Sequence, residues 1–376
     1  MKIEPFDLER YFAKHEFTAQ FLLSCSDCES RSVSDLLALA DAETIGLWKD
    51  LRLGYTESPG HPLLRKEIAE TYDRIGAEGV LVVVPEEGIF LIMHSLLKPE
   101  DHVICTFPGY QSLYEVARSI GCQVTRWEPD EERGWRFDVE ELKKRMRPNT
   151  RLVVVNFPHN PTGCVPPLED FLAIVELVQD REVHLLSDEM YRLLEIDDGP
   201  TLPAACDLYD RAVSLSGMSK AYGLPGLRIG WLASQDADIL RRVAQLKDYT
   251  TICNSAPSEI LAIAALRSRL AILEEQRARV SRNVRVLDGF FSKYQALFRW
   301  NRPVGGSVSF PRVLAVDDTS TFCEELIQAT GILLVPSSQF QYGQHHVRMG
   351  FGRENLPQVI ERFGDYLDRR YAGSLP

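Results

Sequence analysis

No stretch of this sequence approaches the roughly 18 uninterrupted apolar residues that a membrane helix needs. Its start, Met1-Lys2-Ile3-Glu4-Pro5-Phe6-Asp7, has acids where a secretory leader carries a basic stretch and then an apolar run. The expectation is a cytoplasmic protein with no membrane partner. Basic charge is also short, with 42 lysines and arginines against 54 acids, a formal net charge of −12, and no basic run to offset it. That balance disfavours a nucleic-acid partner but leaves room for an acidic pocket facing a cationic small molecule. Cysteine is sparse, 8 in 376 residues, and mostly sits in apolar runs (Cys105, Cys122, Cys164, Cys253), which fits buried free thiols in a reducing compartment. Only Cys25 and Cys28 have metal-like spacing, and no second Cys or His pair completes a tetrahedral set, so no metal is expected. Internal repeats, low-complexity tracts and long linkers are missing as well.

What the chain does have is ordinary globular composition, 45% apolar and 26% charged, and length for two or three domains. Between about residues 80 and 235, short β-branched runs alternate with amphipathic stretches. The runs are Val80 to Val84, His102 to Cys105, Gln123 to Arg126, Leu152 to Val155, Val183 to Ser187, Ala212 to Leu215 and Ile229 to Ala233. Such alternation implies βαβ units: an α/β fold with a mostly parallel sheet, helices on both faces and a ligand site at the strands' carboxyl ends. From Ala256 to Tyr294 the pattern is helical, with Glu274, Arg277, Arg279 and Arg282 expected on solvated faces. The last 80 or so residues read as an α+β unit with strands near Val308 to Phe310, Leu333 to Val335 and Val347 to Met349, and a final helix from about Asn355 to Tyr371. The first 50 residues hold a polar loop, Leu23 to Ser32, and one amphipathic segment, Val33 to Trp48. The division expected is a large domain over residues 50–280 and a smaller one from 1–49 and 281–376.

Three polar clusters follow predicted strands. Lys220 lies in Ser216-Gly217-Met218-Ser219-Lys220-Ala221-Tyr222-Gly223, with small neighbours that let a ligand approach the backbone and with Arg228 eight positions on. A lysine stripped of water near a cation loses its proton more readily and attacks carbonyls, as an aldehyde cofactor requires. Asn156-Phe157-Pro158-His159-Asn160-Pro161-Thr162-Gly163 follows Leu152 to Val155, and Ser187-Asp188-Glu189-Met190-Tyr191 follows Val183 to Leu186. Alone, each reads as a surface charge, a turn or a helix cap. Together they occupy the end of the sheet where ligands bind.

These residues resemble the class I and II aminotransferases, pyridoxal 5′-phosphate (PLP) enzymes of fold type I, over nearly the whole chain. The resemblance implies that Lys220 forms the Schiff base with PLP, that Asp188 pairs with the pyridine nitrogen, and that Asn160 and Tyr191 hydrogen-bond the phenolic oxygen. Arg228 and Ser219 would hold the phosphate, and Tyr110, in Thr106-Phe107-Pro108-Gly109-Tyr110, would stack on the ring. Tyr55, in Gly54-Tyr55-Thr56-Glu57, matches a tyrosine that reaches the neighbouring subunit's phosphate, which implies a homodimer with shared sites. Arg348, in Val347-Arg348-Met349-Gly350, would take the substrate carboxylate, with Asn160 beside it. Regulators that only sense PLP carry a basic DNA-binding domain ahead of this one, and Tyr55 falls too early for that.

Two departures stand out. In place of a Gly-rich phosphate turn the chain has Val84-Pro85-Glu86-Glu87-Gly88, where Pro85 lacks an amide hydrogen and the acids add negative charge. Either fewer amides form the cup, with the acids turned outward, or this part of the site, Glu86 included, is rearranged. Gly217 also replaces a hydroxyl residue common three positions before the lysine. The default reaction is amino transfer, with Lys220 moving a proton at Cα. The segments around Asn160 and Lys220 also resemble the capreomycidine synthase-type branch, which implies dehydration and ring closure of a hydroxylated arginine as the alternative. A guanidinium would need acids in the pocket, and by the same resemblance Glu9, Glu16, Asp27 and Glu29 are available, Glu9 and Asp27 foremost.

Overall fold

The computed structural model of the chain describes residues 2–197, 199 and 201–372. It begins with helix α1 (Asp7–His15), strand β1 (Phe21–Leu22) and helices α2 (Val33–Ala38), α3 (Ala42–Lys49) and α4 (Pro62–Ala69). The segment Val33 to Trp48 is thus two helices, not one. Asp41 accepts a hydrogen bond from the Thr44 amide and starts α3, as Ser32 does for α2 at Asp35.

Seven strands make the central sheet: β2 (Val80–Val83), β3 (His102–Thr106), β4 (Gln123–Trp127), β5 (Thr150–Asn156), β6 (His184–Asp188), β7 (Ala212–Gly217) and β8 (Gly230–Ala233), in the order β2-β8-β7-β6-β5-β3-β4. β3 to β7 pair in parallel, and β8 runs antiparallel to β7 and β2. Each coincides with a predicted β-branched run; in the inner strands both sheet faces are covered and neither residue parity is left to solvent, whereas the edge strand β4 is buried fully only at Trp127. Leu152 and Val154 of β5 pack beside α5 (Pro85–Leu96) and α6 (Ser112–Ile120), while Val153 and Val155 meet Phe171, Ile174 and Val178 on the other face. The fold is α/β, with the parallel strands ending at Thr106, Trp127, Asn156, Asp188 and Gly217 along one edge.

Beyond the sheet run helices Ala256–Arg267 and Arg269–Lys293. Arg279 does not lie on a solvated face: it is buried, and its guanidinium bridges Glu275 at 2.7 Å and Glu354 at 2.8 Å where the long helix passes beneath the C-terminal unit. That unit contains β9 (Phe298–Arg299), β10 (Val308–Ser309), β11 (Arg312–Val313), β12 (Ile332–Leu333), β13 (Val335–Pro336) and β14 (Val347–Gly350), closing with helix Leu356–Arg370. The predicted strand Leu333 to Val335 is split at Leu334, because β12 pairs with β1 whereas β13 pairs with β14. The N-terminal residues therefore touch the C-terminal unit through β1, and α2 and α3 lie on helix Ala256–Arg267. No helix among the described residues is long and apolar enough to cross a membrane.

Candidate active site

A cavity of about 490 Å³ opens at the carboxyl edge of the sheet, closed over by α1, residues 25–27 and β14. Lys220, Asp188, Tyr191, Asn160, Tyr110, Ser219, Arg228, Glu86, Arg348, Glu9 and Asp27 all line it. Tyr55 does not. It is 93% exposed and borders a separate concavity with Arg52, His61 and Glu259.

The strand ends fix the floor. Asn156, closing β5, donates from its side chain to the Asp188 carbonyl at 3.0 Å and accepts the Asn160 amide at 2.8 Å, so the turn to Asn160 is tied to β6. Asp188, closing β6, is buried, and its carboxylate accepts the Met190 amide at 3.1 Å. Burial pushes this carboxyl up to about 7, against the pull of that amide and of Lys220. The buried Tyr191 hydroxyl has no hydrogen-bond partner within the described chain. Just past β7, Lys220 Nζ donates to Ser26 Oγ at 2.8 Å. Arg228 follows the turn Pro225–Leu227 with φ of +53°, a left-handed conformation uncommon for arginine, and donates to the Pro225 carbonyl at 2.9 Å.

The two acids opening α5 part company. Glu87 turns away to the Thr251 hydroxyl at 2.8 Å and back to the Val84 amide at 3.3 Å. Glu86 stays in the cavity, accepting from Ser112 Oγ at 3.2 Å. Burial, reinforced by Glu9 and Asp188, raises Glu86 to about 7, while Ser112 and Arg228 pull the other way. The outward turn is therefore made by one acid only. Gly217 is explained by its neighbouring strand: a Cβ there would stand 2.9 Å from both Gly230 Cα and the Ile229 carbonyl oxygen, with Pro85 Cγ next at 3.3 Å.

Arg348 is 1% exposed. Its guanidinium donates to the Ser24 carbonyl at 2.9 Å and to Asn160 Oδ1 at 3.3 Å, between the Phe12 and Phe340 rings. Its Nε has no partner, no carboxylate is paired with it among the described residues, and burial pushes its pKa downward. A cation buried in this way calls for an anion from outside, and the planar fork favours a carboxylate.

The remaining acids are not equivalent. Asp27 is held by Arg353 at 2.9 Å, and Glu9 accepts from the Tyr110 hydroxyl at 3.0 Å. Glu16 also lines the cavity, its pKa raised by burial and then by Asp27 and Glu9. Sequence reasoning missed Ser26 and Arg353; of the four N-terminal acids it named, Glu9, Glu16 and Asp27 line the cavity and Glu29 does not. Arg353 carried a faint signal, five positions after Arg348 in the same segment; a lone serine in a polar loop carries none. Cys25 and Cys28 are buried free thiols, and no group of three or more His, Cys, Asp and Glu among the described residues could hold a metal ion.

The lining suits a phosphorylated pyridine aldehyde: an amine at Lys220, a buried carboxyl at Asp188, a hydroxyl at Tyr191 with no partner among the described residues, and a hydroxyl and a guanidinium at Ser219 and Arg228. Comparison with known proteins agrees. The profile of aminotransferase class I and II matches residues 32–363. The chain is 30% identical to capreomycidine synthase of Streptomyces vinaceus, covering 98% of this chain and 96% of that one. Among solved structures, a PLP-dependent aminotransferase from Streptococcus suis 89-1591 superposes with a TM-score of 0.92 at 31% identity, covering 98% of this chain and 99% of the other. The PLP-dependent cyclase OrfR superposes at 0.89 and 27%, covering 98% of each. The protein belongs to the class I and II aminotransferase family and is a PLP-dependent enzyme of fold type I.

Proposed function

We propose that this enzyme carries PLP on Lys220 and breaks a bond at Cα of an α-amino acid, with amino transfer as its reaction. The observation that carries an α-amino acid substrate is Arg348, a buried guanidinium with no carboxylate paired to it among the described residues, lining the same cavity as Lys220 and Asp188, and the aminotransferase match over residues 32–363 favours amino transfer. Bound PLP supplies an electron sink for Cα. Asp188 gives the ring nitrogen a counter-charge, and a cation there offsets the burial that now raises its pKa. Tyr191 and Asn160 donate to the ring's phenolic oxygen, Tyr110 covers the ring, and Ser219 and Arg228 hold the phosphate with Glu86 beside them. Arg348 fixes the substrate carboxylate, and Lys220 takes the Cα proton.

A second reading, dehydration with ring closure on a hydroxylated arginine, is supported by the acids. Glu9, Glu16 and Asp27 line the cavity, in the N-terminal stretch that the capreomycidine synthase match includes. Glu9 and Glu16 suit a cationic side chain, while Asp27 is already engaged by Arg353 of the same cavity wall. Two chains would share sites, each contributing Tyr55 to its partner; Tyr55, Leu53 and Tyr249 are 93%, 87% and 90% exposed in the single chain, as a subunit contact would leave them. The free cysteines suit a reducing cytoplasm.

The deciding experiment incubates the holoenzyme with a panel of amino acids, including arginine and hydroxyarginines, with and without a 2-oxo acid, and follows products by mass spectrometry. Amino transfer stops after one equivalent when the acceptor is withheld. Turnover that continues without acceptor and gives a product lighter by one water establishes the second reading. If no amino acid perturbs the cofactor absorbance, both are wrong.

A further inference from the structure

We propose that Ser26 is a positioning residue for Lys220: its hydroxyl receives the lysine amine whenever that amine is not bonded to the cofactor and holds it for proton transfer at Cα. The proposal rests on the assignment of Lys220 above. Its starting point is the 2.8 Å hydrogen bond from Lys220 Nζ to Ser26 Oγ, which joins residues 194 positions apart in sequence.

Ser26 lies outside any helix or strand, yet its backbone is fixed. The Gly350 amide donates to the Leu23 carbonyl at 2.8 Å, Arg348 to the Ser24 carbonyl at 2.9 Å, the Ser307 hydroxyl to the Ser26 carbonyl at 2.7 Å, and the Glu29 amide to the Gly352 carbonyl at 2.9 Å. A Cβ on Gly350 would collide with the Cys25 carbonyl oxygen, so β14 and this segment are in backbone contact. The hydroxyl therefore stands at a set place in the cavity wall, held by the strand that carries Arg348, so one support aligns both the substrate carboxylate and the base.

The chemistry favours an acceptor there. A neutral lysine amine that donates one N–H to Ser26 Oγ keeps its lone pair free for Cα. When the Cα proton moves to Nζ, the C–H electron pair stays with the substrate and cofactor, and the nitrogen becomes an ammonium. The hydrogen bond to Ser26 is then charge-assisted and stronger than before the transfer. An interaction that strengthens as the proton moves lowers the barrier rather than merely tightening binding. Ser26 itself gains and loses no proton.

The test compares wild type, Ser26→Ala and Ser26→Thr, using the amino acid of the panel above that turns over fastest, with hydrogen or deuterium at Cα. Pyridoxamine 5′-phosphate, which occupies the cofactor site without bonding to lysine, reports site integrity. Ser26→Ala is expected to lower kcat about tenfold with KM little changed, and to enlarge the α-deuterium isotope effect. Pyridoxamine phosphate affinity should stay within about twofold of wild type, and Ser26→Thr should restore kcat. A kcat for Ser26→Ala within about twofold of wild type overturns the proposal. So does a parallel loss of pyridoxamine phosphate affinity, which makes the role structural, or an unchanged isotope effect. Borohydride reduction of the wild-type holoenzyme followed by peptide mapping tests the underlying assignment separately: cofactor fixed anywhere but Lys220 removes that assignment whatever the Ser26 variants do.

Discussion

Glu86 places a carboxyl beside the position proposed for the cofactor phosphate, and its ionisation sets the cost of that arrangement. Burial raises it to about 7, with Glu9 on α1 and Asp188 on β6 pushing the same way and Arg228 and Ser112 opposing. Below that pH the neutral acid can donate to a phosphate oxygen; above it a carboxylate faces a dianion. Glutamine keeps a donor and removes the charge. The ratio of wild-type to Glu86→Gln dissociation constants for pyridoxamine phosphate is therefore expected near one at about pH 6, rising about tenfold by about pH 8.5 as the wild-type carboxyl ionises. Taking the ratio cancels the ligand's own titrations, and calorimetry across that range reads it. A flat ratio removes Glu86 from the phosphate's surroundings. Residues of this kind differ in how legible they are. Lys220, Asp188 and Asn160 could be found because each follows an apolar run that marks a strand end. Ser26 follows no such marker and Arg353 only the short strand β14, and both meet the cavity because distant segments are brought over it.

At the scale of elements, residues 23–29 depend on β14. Gly350 lacks a side chain where the Cys25 carbonyl presses against it, and its amide holds Leu23. Gly350→Ala must push the two backbones apart, and overpacking of this kind costs about 1 to 3 kcal/mol. Thermal unfolding should fall accordingly. Pyridoxamine phosphate should still bind, because the β5 to β7 turns do not rest on this contact, while amino-acid affinity should drop by at least about tenfold as Arg348 loses its Ser24 partner. Equal losses of both affinities would show that the segment supports the whole cavity. The inner sheet strands were readable because two-sided burial leaves unbroken apolar runs, and the half-exposed edge strand β4 through its β-branched Val124 and Thr125. The divided helix at Asp41 and the divided strand at Leu334 were not, because hydrophobic periodicity continues through both breaks. A capping carboxylate makes the first and a change of pairing partner makes the second.

For the whole molecule, the single chain leaves Tyr55 outside the cavity that holds the other proposed phosphate ligands. A closed two-fold dimer resolves this if each subunit's Tyr55 completes its partner's site. The two arrangements differ in a mixing experiment. Lys220→Ala and Tyr55→Ala chains are each expected to be inactive at limiting PLP when expressed alone. Co-expressed in equal amounts, half of the dimers contain one chain of each kind. If Tyr55 acts across the interface, one site of each mixed dimer joins an intact Lys220 to an intact Tyr55, and the other site lacks both. A quarter of all sites are then complete, so activity should recover to about one quarter of wild type. If Tyr55 serves its own chain, every site lacks one residue or the other and mixing restores nothing.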